Sequence, residues 1–184
     1  MTHSESDSLS LYNTTISHFI KQKAPIIYTP GFFSSDENKK IEDLQNEKIY
    51  LINTAKKLAK NGEHWVSFFK INDNFGYYFD PIGYAPCNKY WKIIFLSPTE
   101  IAKSGIRLIA PNKNYMDPYG TVCGEYSCVL AYHINELIKK GKESEILNYN
   151  HHPFEEFGIY PADHIHGVQK KNDQIIASVY KRLT

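Results

Sequence analysis

The strongest constraint on this chain lies between Asp117 and Lys140. Asp117 to Val122 is a polar loop containing Pro118 and Gly120, without periodicity. From Cys123 the pattern changes: Cys123, Tyr126, Val129, Leu130, His133, Ile134, Leu137 and Ile138 recur at three- and four-residue spacing, as one face of an amphipathic helix does. A core must cover that face, and Cys123 falls where the loop becomes the first helical turn. The free N–H groups and dipole of a helix N-terminus favour a thiolate. Cys123 is therefore read as a nucleophile, with the rest of the chain arranged to position it.

The other elements suit that core. A chain of 184 residues predicts one domain, 1–184, with the polar residues 1–8 frayed. Ser8 or Ser10 is expected to cap a first helix whose apolar face uses Leu11, Ile16, Phe19 and Ile20 and which ends before Pro25. IIYTPGFF is read as extended and broken at Pro30-Gly31, Asp36 to Asn46 as a surface helix or mobile insertion, and Lys48 to Thr54 as a buried strand. His64 to Ile71 and Phe75 to Asp80, separated by Asn72-Asp73-Asn74, predict an antiparallel hairpin. Helix pieces are expected over Asn88–Phe95 and Pro98–Ser104, a short strand over Ile106–Ala110, a helix from Cys123 to near Gly141, a loop over Gly158–Asp163 and a last helix over Asp173–Leu183. Strands in the middle and helices at the ends give an α+β class, with a central mixed or antiparallel sheet flanked by helices.

Thiol-dependent acyl transfer needs a thiolate, an imidazole, a group that orients the imidazole, and donors for the oxyanion. His64 begins one strand of the hairpin and Asp80 ends the other, so the return of the chain brings both to one sheet edge. Cys123 has only to be delivered there. Taken singly, each residue has a bland reading: a structural His beside Trp, a turn-forming Asp before Pro, an inert buried Cys.

The order of GEHWVSFF, YYFDPIGY and VCGEYSCVLAYH resembles that of the adenovirus-type (adenain-like) maturation cysteine proteases, as found in virophages and related double-stranded DNA viruses. Their clan also holds SUMO-deconjugating enzymes. TPGFF, YLINTA and, more weakly, NDQIIASVYKRL are similar to further family segments, and the likeness spans roughly Pro30 to His133. The resemblance implies an adenain/SUMO-protease-like fold and a cysteine endopeptidase with Cys123 as nucleophile, His64 as base and acid, and Asp80 as orienting carboxylate. It implies Trp65 as a cleft wall and the N–H of Cys123 or Gly124 as oxyanion donors. Substrates would be viral capsid or structural precursors cut at Gly-containing sites, in the infected-cell cytoplasm, virus factory or virion. The alternatives are an isopeptidase for a ubiquitin-like modifier and a binding module that keeps the fold.

Two departures from the family stand out. Most members carry a Gln six or seven residues before the Cys, where this chain has Asp117 and Met116. Met cannot donate to an oxyanion and an ionised Asp has the wrong sign, so either Asn114, Asn112 or Tyr119 substitutes, or Asp117 is protonated or plays a different role. IRLIAPNKN also lacks the Cys through which a viral peptide activates the adenoviral enzyme, so no disulfide-linked activator is expected. A net charge of +1 and the absence of a long basic run give no indication of nucleic acid binding. There is no apolar run of membrane-spanning length. Cys87, Cys123 and Cys128 are read as reduced thiols, with Cys128 packed in the core. No cofactor or metal is expected: His151, His152, His164 and His166 read as solvent-exposed loop histidines, and the lysines at 56–60 and 139–142 as solvated faces.

Overall fold

The computed structural model describes residues 5–55, 64–162 and 167–184. A five-stranded mixed sheet in the order β1-β2-β3-β4-β5 forms the middle layer. The strands are β1 (Phe33–Ser34), β2 (Lys48–Asn53), β3 (Trp65–Lys70), β4 (Phe75–Phe79) and β5 (Arg107–Ile109). The three central strands pair antiparallel, and the short edge strands β1 and β5 are added in parallel. All six residues of β3 are buried, as befits a central strand covered on both faces.

One face of the sheet packs against the helices α1 (Glu5–Lys23), α3 (Cys123–Lys139) and α4 (Val168–Leu183). Its core joins Ile16, Phe19 and Ile20 of α1, Trp65, Phe69, Tyr77 and Phe79 of the hairpin, Tyr126, Val129, Leu130 and Ile134 of α3, and Ile176 and Val179 of α4. The other face is covered by a single 3-10 turn at Ile41–Asp43, a second at Ile94–Leu96, and α2 (Pro98–Ser104). There Val66, Phe68 and Tyr78 meet Ile93, Phe95 and Leu96. The class is thus α+β with helices on the sheet.

Several expectations are corrected. Asn88–Ile93 is not helical, and only Ile94 and Phe95 enter a 3-10 turn: the Asn88 side chain accepts the Tyr90 and Trp91 N–H groups, Ile93 N–H bonds Pro86 O, and Cys87 bridges Lys92. Asn competes with helix in this way by offering the backbone a local partner. The 36–46 stretch forms only the one 3-10 turn, because Ile41 is drawn into the second core. α4 begins at Val168, five residues before Asp173, and α1 begins at Glu5, ahead of Ser8. His151 and His152 are half-buried rather than exposed, His151 because it meets His133 of α3, while His164 and His166 and the lysines of 56–60 lie outside the described residues. No helix among the described residues is long and apolar enough to cross a membrane.

Candidate active site

The β3–β4 hairpin places the first two residues. The Thr54 N–H bonds His64 O at 2.9 Å, continuing the β2–β3 ladder one residue beyond Trp65. In the β3–β4 register Ser67 faces Phe79. Continuing that register sets Asp80 beside Val66, two residues from His64 on the same face, a diagonal cross-strand neighbour. His64 Nε2 meets Asp80 Oδ1 at 2.7 Å, with both side chains buried.

Asp80 is held on all sides. Its Oδ1 also accepts the Ile82 N–H at 2.9 Å, and its Oδ2 accepts the Tyr84 N–H at 3.1 Å. The turn that supplies these donors passes through Gly83 at φ +96°, where a Cβ would sit 2.8 Å from Lys113 O. Only glycine fits both the conformation and the contact. The same turn receives the lead-in to α3: Tyr115 and Met116 donate their N–H groups to Pro81 O at 2.9 and 3.0 Å. The segment after Asp80 and the segment before Cys123 are therefore joined by backbone hydrogen bonds.

Cys123 is half-buried and free, and it opens α3. The residue before it, Val122, supplies no capping side chain. The first-turn N–H groups, those of Cys123 and Gly124 among them, have no partner within the helix. Because Asp80 engages Nε2, the Nδ1 side of His64 is left for the thiol. Burial disfavours a charged His64, but the hydrogen bond that the ring donates to Asp80, followed by the interaction with Cys123, outweighs it and raises the imidazole from 6.5 to about 9. The ring is thus held as imidazolium at neutral pH.

Trp65 lies on the helix side of the sheet, in the core against which Cys123 also packs. Adjacent strand residues point to opposite faces, so Trp65 projects into the helix-side core and packs on Phe32 at 5.2 Å between ring centroids. The ring beside His64 belongs to Trp91, 5.5 Å away, and Tyr84 and Tyr90 pack around that indole. Sequence reasoning missed Trp91; its signal is the Asn88 turn, which returns YW toward Tyr84.

Asp117 is a turn residue: its Oδ1 accepts the Tyr119 N–H at 3.1 Å, and its carbonyl accepts the Gly120 N–H at 2.8 Å. Met116 is buried in the helix-side core. Asn114 lies beside Gly83, with its backbone carbonyl taken by the Ala162 N–H at 2.7 Å and its side-chain oxygen buried without a hydrogen-bond partner. Tyr119 is almost fully exposed. Cys128 is buried, which drives its thiol well above the usual range, and Cys87 is half-buried with its Sγ 3.7 Å from Ile93 O. Among the described residues no group of three or more His, Cys, Asp or Glu side chains could hold a metal ion.

No protein-family model matches the chain, and no curated protein matches it.

Proposed function

We propose that the chain is a cysteine endopeptidase of the adenain-like type, with the fold of the adenain and SUMO-protease clan. The observation that carries the reading is the buried His64–Asp80 pair, held at 2.7 Å on an imidazole that also interacts with Cys123. A structural histidine needs neither a thiol at a helix N-terminus nor a carboxylate fixed by two further N–H donors.

The chemistry follows from these positions. Cys123 Sγ attacks the scissile carbonyl carbon, an S–C bond forms, and the carbonyl π electrons move onto oxygen. The N–H groups of Cys123 and Gly124 stabilise that oxyanion. On collapse the C–N bond breaks, and the His64 imidazolium gives its proton to the departing amine. Water then attacks the thioester carbonyl, His64 takes its proton, and the S–C bond breaks to release the acid and restore the thiolate. Asp80 keeps Nε2 protonated and the ring in plane throughout.

The substrate class rests on the resemblance of the His-Trp, Asp-Pro-x-Gly-Tyr and Cys-Gly-x-Tyr-x-Cys blocks: viral capsid or other structural precursors, cut at Gly-containing sites in the infected cell or virion. The sequence gives no indication of a nucleic acid activator, and IRLIAPNKN lacks the Cys that a disulfide-linked peptide would use. In a co-expression assay with a capsid precursor, Cys123→Ala abolishes cleavage while the protein stays folded; retained cleavage would sink the proposal. A ubiquitin-like modifier carrying a C-terminal vinyl ester leaves Cys123 unlabelled, and labelling would turn the reading to a deconjugating isopeptidase.

A further inference from the structure

The loop from Tyr115 to Gly120 is where the chain leaves its apparent family, and it is held from an unexpected quarter. Asn172 and Asp173 lie in α4, more than fifty residues downstream. Asn172 is buried, and its Nδ2 donates to Tyr115 O at 3.1 Å and to Tyr160 O at 2.8 Å. Asp173 Oδ2 accepts the Asp117 N–H at 3.3 Å, and its Oδ1 accepts the Tyr126 O–H at 3.3 Å. Tyr126 lies on α3 one turn after Cys123, and its hydroxyl is also 3.3 Å from Tyr115 O. The loop closes tightly on the carboxylate: a Cβ on Gly120 would lie 2.6 Å from Asp173 Oδ2. A solvated helix-face aspartate would not be enclosed by a glycine turn, a backbone N–H and a tyrosine hydroxyl.

We propose that Asn172 and Asp173 are positioning residues for the reaction at Cys123. They lock the Tyr115–Gly120 loop onto α3 and so fix the backbone leading into the oxyanion-binding first turn. The assignment rests on Cys123 being the nucleophile. It gives this chain a replacement for the order a loop glutamine would bring: the carboxylate on α4 shapes the hole without touching the oxyanion.

The anchor is sensitive to its own proton. Burial, together with repulsion from Asp117 of the loop and Glu125 of α3, raises the Asp173 carboxyl to about 6, against the opposing pull of the Asp117 N–H and the Tyr126 hydroxyl. Protonation turns one of its acceptor oxygens into a donor that faces groups which themselves donate.

Two probes separate positioning from general folding. Iodoacetamide alkylates Cys123 without forming an oxyanion, whereas p-nitrophenyl acetate acylates it through one. In full-length Asp173→Asn, the expected result is alkylation of Cys123 within twofold of wild type, acylation reduced at least tenfold, and faster hydrogen exchange at the Asp117 amide. An acylation-to-alkylation ratio within twofold of wild type overturns the proposal, as does unchanged exchange at Asp117. In the wild-type protein, which needs no substitution, the same ratio falls as pH is lowered from 7 through about 6; a flat ratio overturns the proposal. If wild-type Cys123 reacts with neither probe faster than Cys87 does, the nucleophile assignment fails and the positioning proposal falls with it. Faster Asp117 exchange in the variant then shows only that α4 anchors the loop.

Discussion

α3 meets a histidine paired with a carboxylate at two places, and the two pairs behave in opposite ways. At its N-terminus His64 faces Asp80 at 2.7 Å, both buried, and the imidazole is raised to about 9. Ten residues along the helix, roughly 15 Å at the helical rise, His133 Nδ1 faces Glu156 at 3.4 Å across a cleft of about 290 Å³. There burial comes first and lowers His133, and His151 across from it lowers it further. The Nε2 atoms of His133 and His151 are 2.8 Å apart, with ring centroids at 5.1 Å. Those two distances describe nearly coplanar rings meeting head to head, a geometry in which one ring donates and the other accepts. A second proton would leave two donors facing each other. The difference shows that a carboxylate neighbour alone does not charge a histidine. Asp80 is sequestered, fixed by the Ile82 and Tyr84 N–H groups and close; Glu156 is largely exposed, longer and opposed by a second imidazole.

The largest effect should come from breaking the buried pair. Asp80→Ala strands a buried imidazole and two backbone donors and is expected to cost about 3–5 kcal/mol in urea unfolding. Asp80→Asn keeps the shape but removes the charge, and the His64 ring should then titrate well below about 9 in an NMR titration. A His64 that still titrates near 9 in that variant would erase the contrast between the two pairs.

The next effect is a pH dependence of opposite sign at the two places. The folded value of His64 lies above its unfolded value, so its contribution to stability is complete below about 6.5 and is lost as pH rises through about 9. His133 and His151 are lowered in the folded protein, so they cost nothing above about 6.5 and remove stability as pH falls below it. Urea midpoints from pH 5 to 10 should decline at both ends; His133→Gln should flatten the acid side and leave the alkaline side unchanged.

A smaller effect is expected from Trp91→Ala. The indole beside a charged imidazole contributes about 0.5–2 kcal/mol, so its loss should lower the His64 titration by about 0.4–1.5 pH units. An unchanged titration would make Trp91 a lid on the second core rather than a partner of the site.

How much of this was legible in the sequence follows the range of each contact. The His64–Asp80 encounter was legible because one hairpin makes it: the Asn72-Asp73-Asn74 turn sets the return of β4, and antiparallel pairing does the rest. The start of α3 was legible from the change of period at Cys123. The side of the sheet taken by Trp65 was legible too, since strand alternation sends it to the face opposite His64, toward the core that Cys123 packs against. Trp91 was hidden, because Asn88 replaces a helix with a turn and the ring then reaches His64 through tertiary packing. Asp173 was hidden more deeply: nothing near it in sequence marks a helix-face aspartate as the anchor of a loop fifty-six residues before it.

The central claim is that Cys123 and His64 act as one unit. Its most direct test is the rate of iodoacetamide alkylation at each cysteine, resolved by mass spectrometry at pH 7, in the wild-type protein and in His64→Ala. Cys123 should react at least tenfold faster than Cys87 and Cys128, and the His64 substitution should remove that advantage. Equal rates at Cys123 and Cys87 in the wild type, or an advantage that survives the loss of His64, would contradict the account.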